Sequence, residues 1–212
     1  MKKRIFLWVF TILVALPISA QVLQNIDEIA PFSEGLAAVR KGQQWGFINE
    51  EGKLVIEFRD DIYTNPKVDV TKKDVLGVQF PMFNEGLCLI KQTVEDGVPV
   101  YGFIDKTGAV VIKPQFLNIY PFKDGYTTGV LLDKTVKGEN EFKLDIYEYK
   151  FFDVKVSTSG EITDYFENRD HILMTIRRYT TPTINAKLIS TGLVALHTPD
   201  NGWTIKSLIE KK

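Results

Sequence analysis

The sequence predicts an all-β fold: antiparallel β-hairpin or meander units repeated and stacked into an elongated or curved array. Three observations carry this. One phrase occurs twice, as FSEGLAAVRKGQQWGFINEEGKLVI over 32–56 and FNEGLCLIKQTVEDGVPVYGFIDKTGAVVI over 83–112, and such duplication is the mark of a repeat protein. Its apolar runs are short and end at glycine-containing turns, which favours strands over helices. The residues beside those turns are mostly β-formers.

The two copies match in order. Phe32, Gly35 and Leu36 correspond to Phe83, Gly86 and Leu87; Trp45, Gly46 and Phe47 to Tyr101, Gly102 and Phe103; Asn49 and Gly52 to Asp105 and Gly108. The runs 36–39 and 87–90 start just after glycine and read as half-buried strands. Asn49–Gly52 and Asp105–Gly108 read as type I turns closed by a glycine bulge: Asn or Asp bonds its own backbone and Gly takes positive φ. Gly46 and Gly102 lie inside strands, where glycine signals close approach of an aromatic ring or a neighbouring backbone. Trp45, Tyr101, Phe47 and Phe103 are expected in the core, since stacked units share a large buried seam.

A third copy opens at Tyr120-Pro121-Phe122-Lys123-Asp124-Gly125-Tyr126. Its hairpin half is read at Tyr149–Asp153, with Lys150 in the glycine position and a turn at Ser159-Gly160. A weaker fourth trace runs from Gly192–Leu196 to Asn201-Gly202-Trp203. The segment 59–82 reads as a loop with one or two short strands, 133–147 as a protruding hairpin or loop, 21–31 as an entry segment or edge strand, and Ser207–Lys212 as a frayed helical end. His171–Ile176, Thr183–Ala186 and Leu193–Leu196 read as strands. The organisation expected is 1–20 as a leader, 21–125 as two well-formed repeats, and 126–212 as degenerate repeats continuous with them.

These residues resemble the WG-repeat (KWG) family, the secreted bacterial type. Gln44–Asn49 and Tyr101–Asp105 carry its hallmark, with Tyr101 in place of Trp, and Val111-Ile112-Lys113-Pro114-Gln115-Phe116 carries its tail. The resemblance covers 32–125 well and 126–212 poorly. It implies β-hairpin units laid side by side, often in secreted bacterial proteins. It implies no enzyme activity.

Residues 1–20 read as a secretory signal peptide. Lys2-Lys3-Arg4 gives the charged start, Ile5–Leu16 an apolar segment short for a bilayer, and Ile18-Ser19-Ala20 a small-residue exit; the alternative is an uncleaved anchor. After cleavage no membrane span is expected, and the location is periplasmic or extracellular. Loss of the three basic residues takes the net charge from −1 to −4, which argues against nucleic acid as a partner. The single Cys88 cannot form an internal disulfide and reads as a small buried thiol.

No catalytic constellation emerges, so no enzyme activity, metal or cofactor is expected. His171 and His197 have no paired spacing. Pro199–Gly202 is turn chemistry. Asp60-Asp61 and Glu50-Glu51 point to opposite strand faces. Asp60, Asp61, Asp69 and Asp74 lack calcium-loop spacing. Tyr63, Tyr120, Tyr126, Tyr165, Tyr179 and Trp203 fall outside the repeat positions and are candidate surface-binding aromatics. The expected function is a secreted, non-catalytic module binding an envelope or extracellular protein. A glycan- or cell-wall-binding module is the alternative, with polysaccharide as ligand.

Overall fold

A computed structural model describes residues 23–94, 97–169 and 171–208; the leader reading lies outside them. Among the described residues the named elements are thirteen strands and a short 3-10 turn, Val75–Gly77. Strands β1 (Glu28–Ile29), β2 (Leu36–Lys41), β3 (Gln44–Asn49) and β4 (Leu54–Arg59) form one antiparallel sheet in chain order. Strands β5 (Leu87–Thr93), β6 (Pro99–Asp105), β7 (Val110–Ile119), β8 (Tyr126–Glu139), β9 (Asp145–Ser157) and β10 (Ile162–Arg169) form a second, again in meander order. Strands β11 (Ala186–Ser190), β12 (Leu193–Thr198) and β13 (Gly202–Ser207) form a third. The bridge Ile62↔Ile90 links the first sheet to the second.

The units become equivalent once their registers are compared. Leu36 pairs with Asn49, Leu87 with Asp105 and Tyr126 with Ser157. Each of these partners opens a turn in which Gly52, Gly108 or Gly160 donates its N–H to the carbonyl three residues back at 2.9–3.0 Å with φ of 75–86°. Asn49 and Asp105 also accept backbone N–H groups through Oδ1, and Ser157 through Oγ. This is the turn that Asn, Asp and Gly predicted.

The third unit corrects the sequence reading. The counterpart of Trp45–Asn49 is not Tyr149–Asp153 but Asp153–Ser157, four positions later. The aromatic spacing of Tyr149-Lys150-Phe151-Phe152 imitates the signature. In fact these residues continue the long β8–β9 arm, whose tip turns at Asn140–Leu144. In the correct register the third unit carries Asp153, Val154 and Lys155 where the first two carry Trp or Tyr, Gly, and Phe.

The Phe-x-Glu-Gly opening is a tight turn in each unit. Glu34-Gly35, Glu85-Gly86 and Asp124-Gly125 are two-residue hairpin loops, closed by Ser33↔Leu36, Asn84↔Leu87 and Lys123↔Tyr126. Both loop residues have positive φ, 50–55° for the acidic residue and 78–84° for the glycine. That is the type I′ geometry that matches the twist of a hairpin.

Gly46 and Gly102 mark a bulge. Trp45 pairs with Arg59 and Phe47 with Ile56, so Gly46 on β3 faces two residues of β4; Tyr101↔Phe116 and Phe103↔Ile112 leave Gly102 on β6 facing three residues of β7, a larger bulge at the same place. The bulged backbone presses in: a methyl group on Gly46 would lie 2.9 Å from the Ile56 carbonyl oxygen, and one on Gly102 2.4 Å from that of Ile112. The neighbouring backbone, not an aromatic ring, explains the glycines.

Three apolar clusters form the core. Trp45, Phe47, Phe83, Cys88, Ile90 and Ile104 join the first two units. Tyr63, Tyr101, Phe103, Phe116, Phe122 and Val154 join the second and third. Val98, Val100, Leu117, Val130, Leu132 and Phe151 line the other face of the second sheet, covered by Ile172, Met174, Tyr179 and Ile184. Residues 171–176, expected as a strand, are therefore a non-strand strap: their alternating apolar side chains pack down on a sheet face instead of pairing. Of the expected helical end, Ser207 closes β13 and Leu208 is coil whose N–H donates to the Gly192 carbonyl at 2.8 Å; the rest lies outside the described residues.

Candidate ligand-binding groove at the third unit

Eighteen residues, 64–81, are inserted after Ile62-Tyr63 in the second unit, where the third runs straight from Ile119-Tyr120 into its opening turn. The insertion is pinned by polar contacts. Asp74 caps the 3-10 turn by accepting from Leu76 N–H at 3.0 Å, and accepts from the buried Asn118 amide at 2.9 Å. The same amide donates to the Pro182 carbonyl at 2.8 Å, tying insertion and strap to one point of β7. The Thr128 hydroxyl donates to the Ala186 carbonyl at 2.7 Å and anchors β11 beside β8.

Between these elements lies a groove of about 580 Å³, within the range of ligand sites. One wall is Thr71–Asp74 of the insertion, the floor is Tyr120–Phe122 and Tyr126–Thr128, and the far wall is Thr183 with Lys187–Thr191. Lys72, Lys73, Lys123 and Lys187 stand exposed around it and form no ion pair with a described residue. The facing carboxylates are Asp124 at the rim and Asp74, which is buried and bonded to Asn118. The Lys155 ammonium lies 4.2 Å from the centre of the Tyr126 ring and pairs with Asp164 at 3.7 Å. Burial, reinforced by the charges of Asp74 and Asp153, pushes the Tyr120 phenol above its ordinary pKa; Tyr120 therefore stays neutral at physiological pH. A second, mainly apolar cavity of about 380 Å³ adjoins across Asp74, Tyr120 and Phe122, beneath Gly77–Met82. The groove can hold an anionic segment against rings and hydroxyls.

The six candidate surface aromatics are not brought into one row. Tyr120 and Tyr126 line the groove, half-buried. Tyr165 is 60% exposed on β10, edge-on to Phe152, and Trp203 is 56% exposed on β13 against His197. Tyr179 is half-buried in the strap, its hydroxyl donating to the Leu117 carbonyl at 3.2 Å. Tyr63 is a correction: it is 7% exposed and packs edge-on to Tyr101 at 4.8 Å, because the insertion folds over it. Of the repeat positions, Trp45, Phe47, Tyr101 and Phe103 are buried, whereas Phe32 is 51% exposed. The two loops singled out in the sequence are far apart. The insertion forms a groove wall, while the 133–147 arm ends thirteen residues along β8 from Tyr126, roughly 40 Å at strand rise.

Sequence reasoning missed the lysines, which are scattered over 72–187 and converge only through the insertion and β11. Two of the acidic residues singled out have structural roles. Asp61 pairs with Arg59, and Asp69 accepts from the Thr71 N–H and hydroxyl. Among the described residues no group of three or more His, Cys, Asp and Glu is placed to hold a metal ion, and no helix is long and apolar enough to cross a membrane.

A family model described as WG containing repeat matches residues 22–45, 45–59 and 101–132. The matched segments span β1–β4 and β6 through the first half of β8; the insertion and the polar end of the third unit fall outside. Searches of curated proteins and of solved structures returned no match. The recurring turns, bulges and Trp/Tyr-Gly pairs, together with these matches, make the chain a WG-repeat protein.

Proposed function

We propose that the protein is an exported, non-catalytic module that binds another envelope or extracellular protein, taking an acidic segment of it into the groove. The single observation behind this is the convergence of Lys72, Lys73, Lys123 and Lys187, none of them ion-paired with a described residue, around a cleft with an aromatic floor. Exposed cations steer an acidic partner, while a desolvated aromatic floor supplies affinity. The Lys2–Ala20 leader supports export. A second reading, polysaccharide binding, is favoured by Tyr120 and Tyr126 beside Thr183 and Ser190 in the same groove.

The test uses residues 21–212 as bait on solubilised envelope, with proteins and glycans both identified in the eluate. The proposal expects a protein ligand that is released by salt, lost in the Lys73→Glu/Lys187→Glu variant, and kept when 133–147 is shortened. A saturable polysaccharide without protein promotes the second reading. Capture indifferent to both lysines rejects the groove.

A further inference from the structure

Contacts between successive units recur in register. The Glu34 carboxylate accepts from Gly86 N–H at 2.9 Å, and Glu85 from Gly125 N–H at 2.8 Å. Phe47 packs edge-on to Phe83 with ring centres 4.9 Å apart, and Phe103 to Phe122 at 5.0 Å. Ile56 lies against Gly108 and Ile112 against Gly160, where an added methyl would come within 3.1 and 3.3 Å of them. Each unit thus presents a carboxylate, a Phe and an Ile to the next, which receives them with a turn amide, a Phe and a bare glycine.

The two ends of the stack differ. At the third unit the presenting residues become Asp124, Lys155 and Asp164. Lys155 pairs with Asp164 and donates to the Thr191 carbonyl at 3.3 Å, so this end is polar and covered by the chain leading into β12. That is how a terminal repeat closes an array. At the first unit no described residue fills the receiving positions. Phe32 is 51% exposed where Phe83 and Phe122 are 1% and 2%, and Ile29 is 65% exposed where Ile62 and Ile119 are 6% and 2%. Among the described residues nothing lies within 4 Å of a methyl built on Gly52.

We infer that the first unit's open face is a docking surface for a WG-type β-hairpin unit of a different protein, one presenting a Phe, a Glu and an Ile as the first two units here do. The interface is the internal one continued by one step. A second copy of this chain does not supply it, because its presenting end is the polar one.

The probe is a copy of residues 62–118 joined directly to Ile29, so that Ile29 follows the duplicated β7 as Ile119 does natively. The expected result is amide exchange at Gly35 slowed by roughly tenfold, since a bond to a charged acceptor must open first, and loss of that protection when the duplicated Phe103 is changed to Asp. Unchanged Gly35 exchange with the duplicated unit folded overturns the inference. Should the duplicate not fold, Phe32→Asp in the native chain decides. A docking role leaves the unfolding midpoint unchanged while Phe83→Asp lowers it steeply. A comparable loss at Phe32 overturns the inference, because the chain then covers that face itself. Self-association of the native chain abolished by Phe32→Asp also overturns it, in favour of a second copy.

Discussion

Replacing Gly102 by Ala tests why the signature glycine exists. The new methyl would lie 2.4 Å from the Ile112 carbonyl oxygen, 2.6 Å from Pro114 N and 2.8 Å from the Lys113 carbonyl carbon. All three are backbone atoms, so β6 and β7 must part by more than half an ångström at the bulge. Overpacking of this kind costs about 1–3 kcal/mol, here at the upper end because no side chain can rotate away. Losing the freedom of glycine in the unfolded chain offsets about 0.4–1 kcal/mol, leaving a net cost of about 2–3 kcal/mol. For a chain of this size that lowers the melting midpoint by roughly 4–12 °C. At Gly46 only one backbone atom is closer than 3 Å, at 2.9 Å, so Gly46→Ala costs less than about 1 kcal/mol after the same offset. Urea unfolding of both variants measures the difference. Gly102→Ala as stable as the wild type, or less harmful than Gly46→Ala, refutes the close-approach explanation.

Other variants probe the core and the cap. Trp45→Ala removes a 5%-exposed indole and should cost about 3–5 kcal/mol, read by denaturant unfolding. Asp153→Ala strands Arg169, whose guanidinium bonds both carboxylate oxygens, and removes the acceptor for Asn185 N–H; breaking such a buried pair costs about 3–5 kcal/mol, again read by unfolding, with Asp153→Asn milder. Burial pushes the Cys88 thiol up to about 12, so it should ignore a thiol reagent at pH 8 in the folded protein and react at once in urea; fast native labelling would contradict the packing around it.

Much of the first two units could be read from residues alone. Asn49, Asp105, Gly52 and Gly108 specify their turn through local hydrogen bonds, and Trp45 and Phe103 announce burial by type. What escaped depends on distance along the chain. The third unit's register was masked because Tyr149–Phe152 copies the aromatic spacing inside a longer arm, and nothing local distinguishes an arm from a repeat. With the register wrong, Lys155 and Asp164 could not be seen as replacements for Phe and Ile. Gly35 marks where the strand begins, whereas the hairpin loop it forms with Glu34 shows only in the positive φ of both residues. The apolar alternation of His171–Ile176 suits a strand, but Ile172 and Met174 are drawn onto the apolar face of the second sheet, and the segment lies there as a strap. The groove was half legible: Tyr120 and Tyr126 were singled out, but the lysines needed the insertion and β11 to meet.

The register of the third unit underlies the equivalence of the units, the polar cap and the open first face alike. Cross-strand proton contacts between β8 and β9 measure it directly by nuclear magnetic resonance. The account predicts Tyr126 opposite Ser157 and Gly129 opposite Val154. Contacts placing Tyr126 opposite Asp153 would contradict it, restoring the pairing that the aromatic spacing suggests and removing Lys155 from the end of the stack.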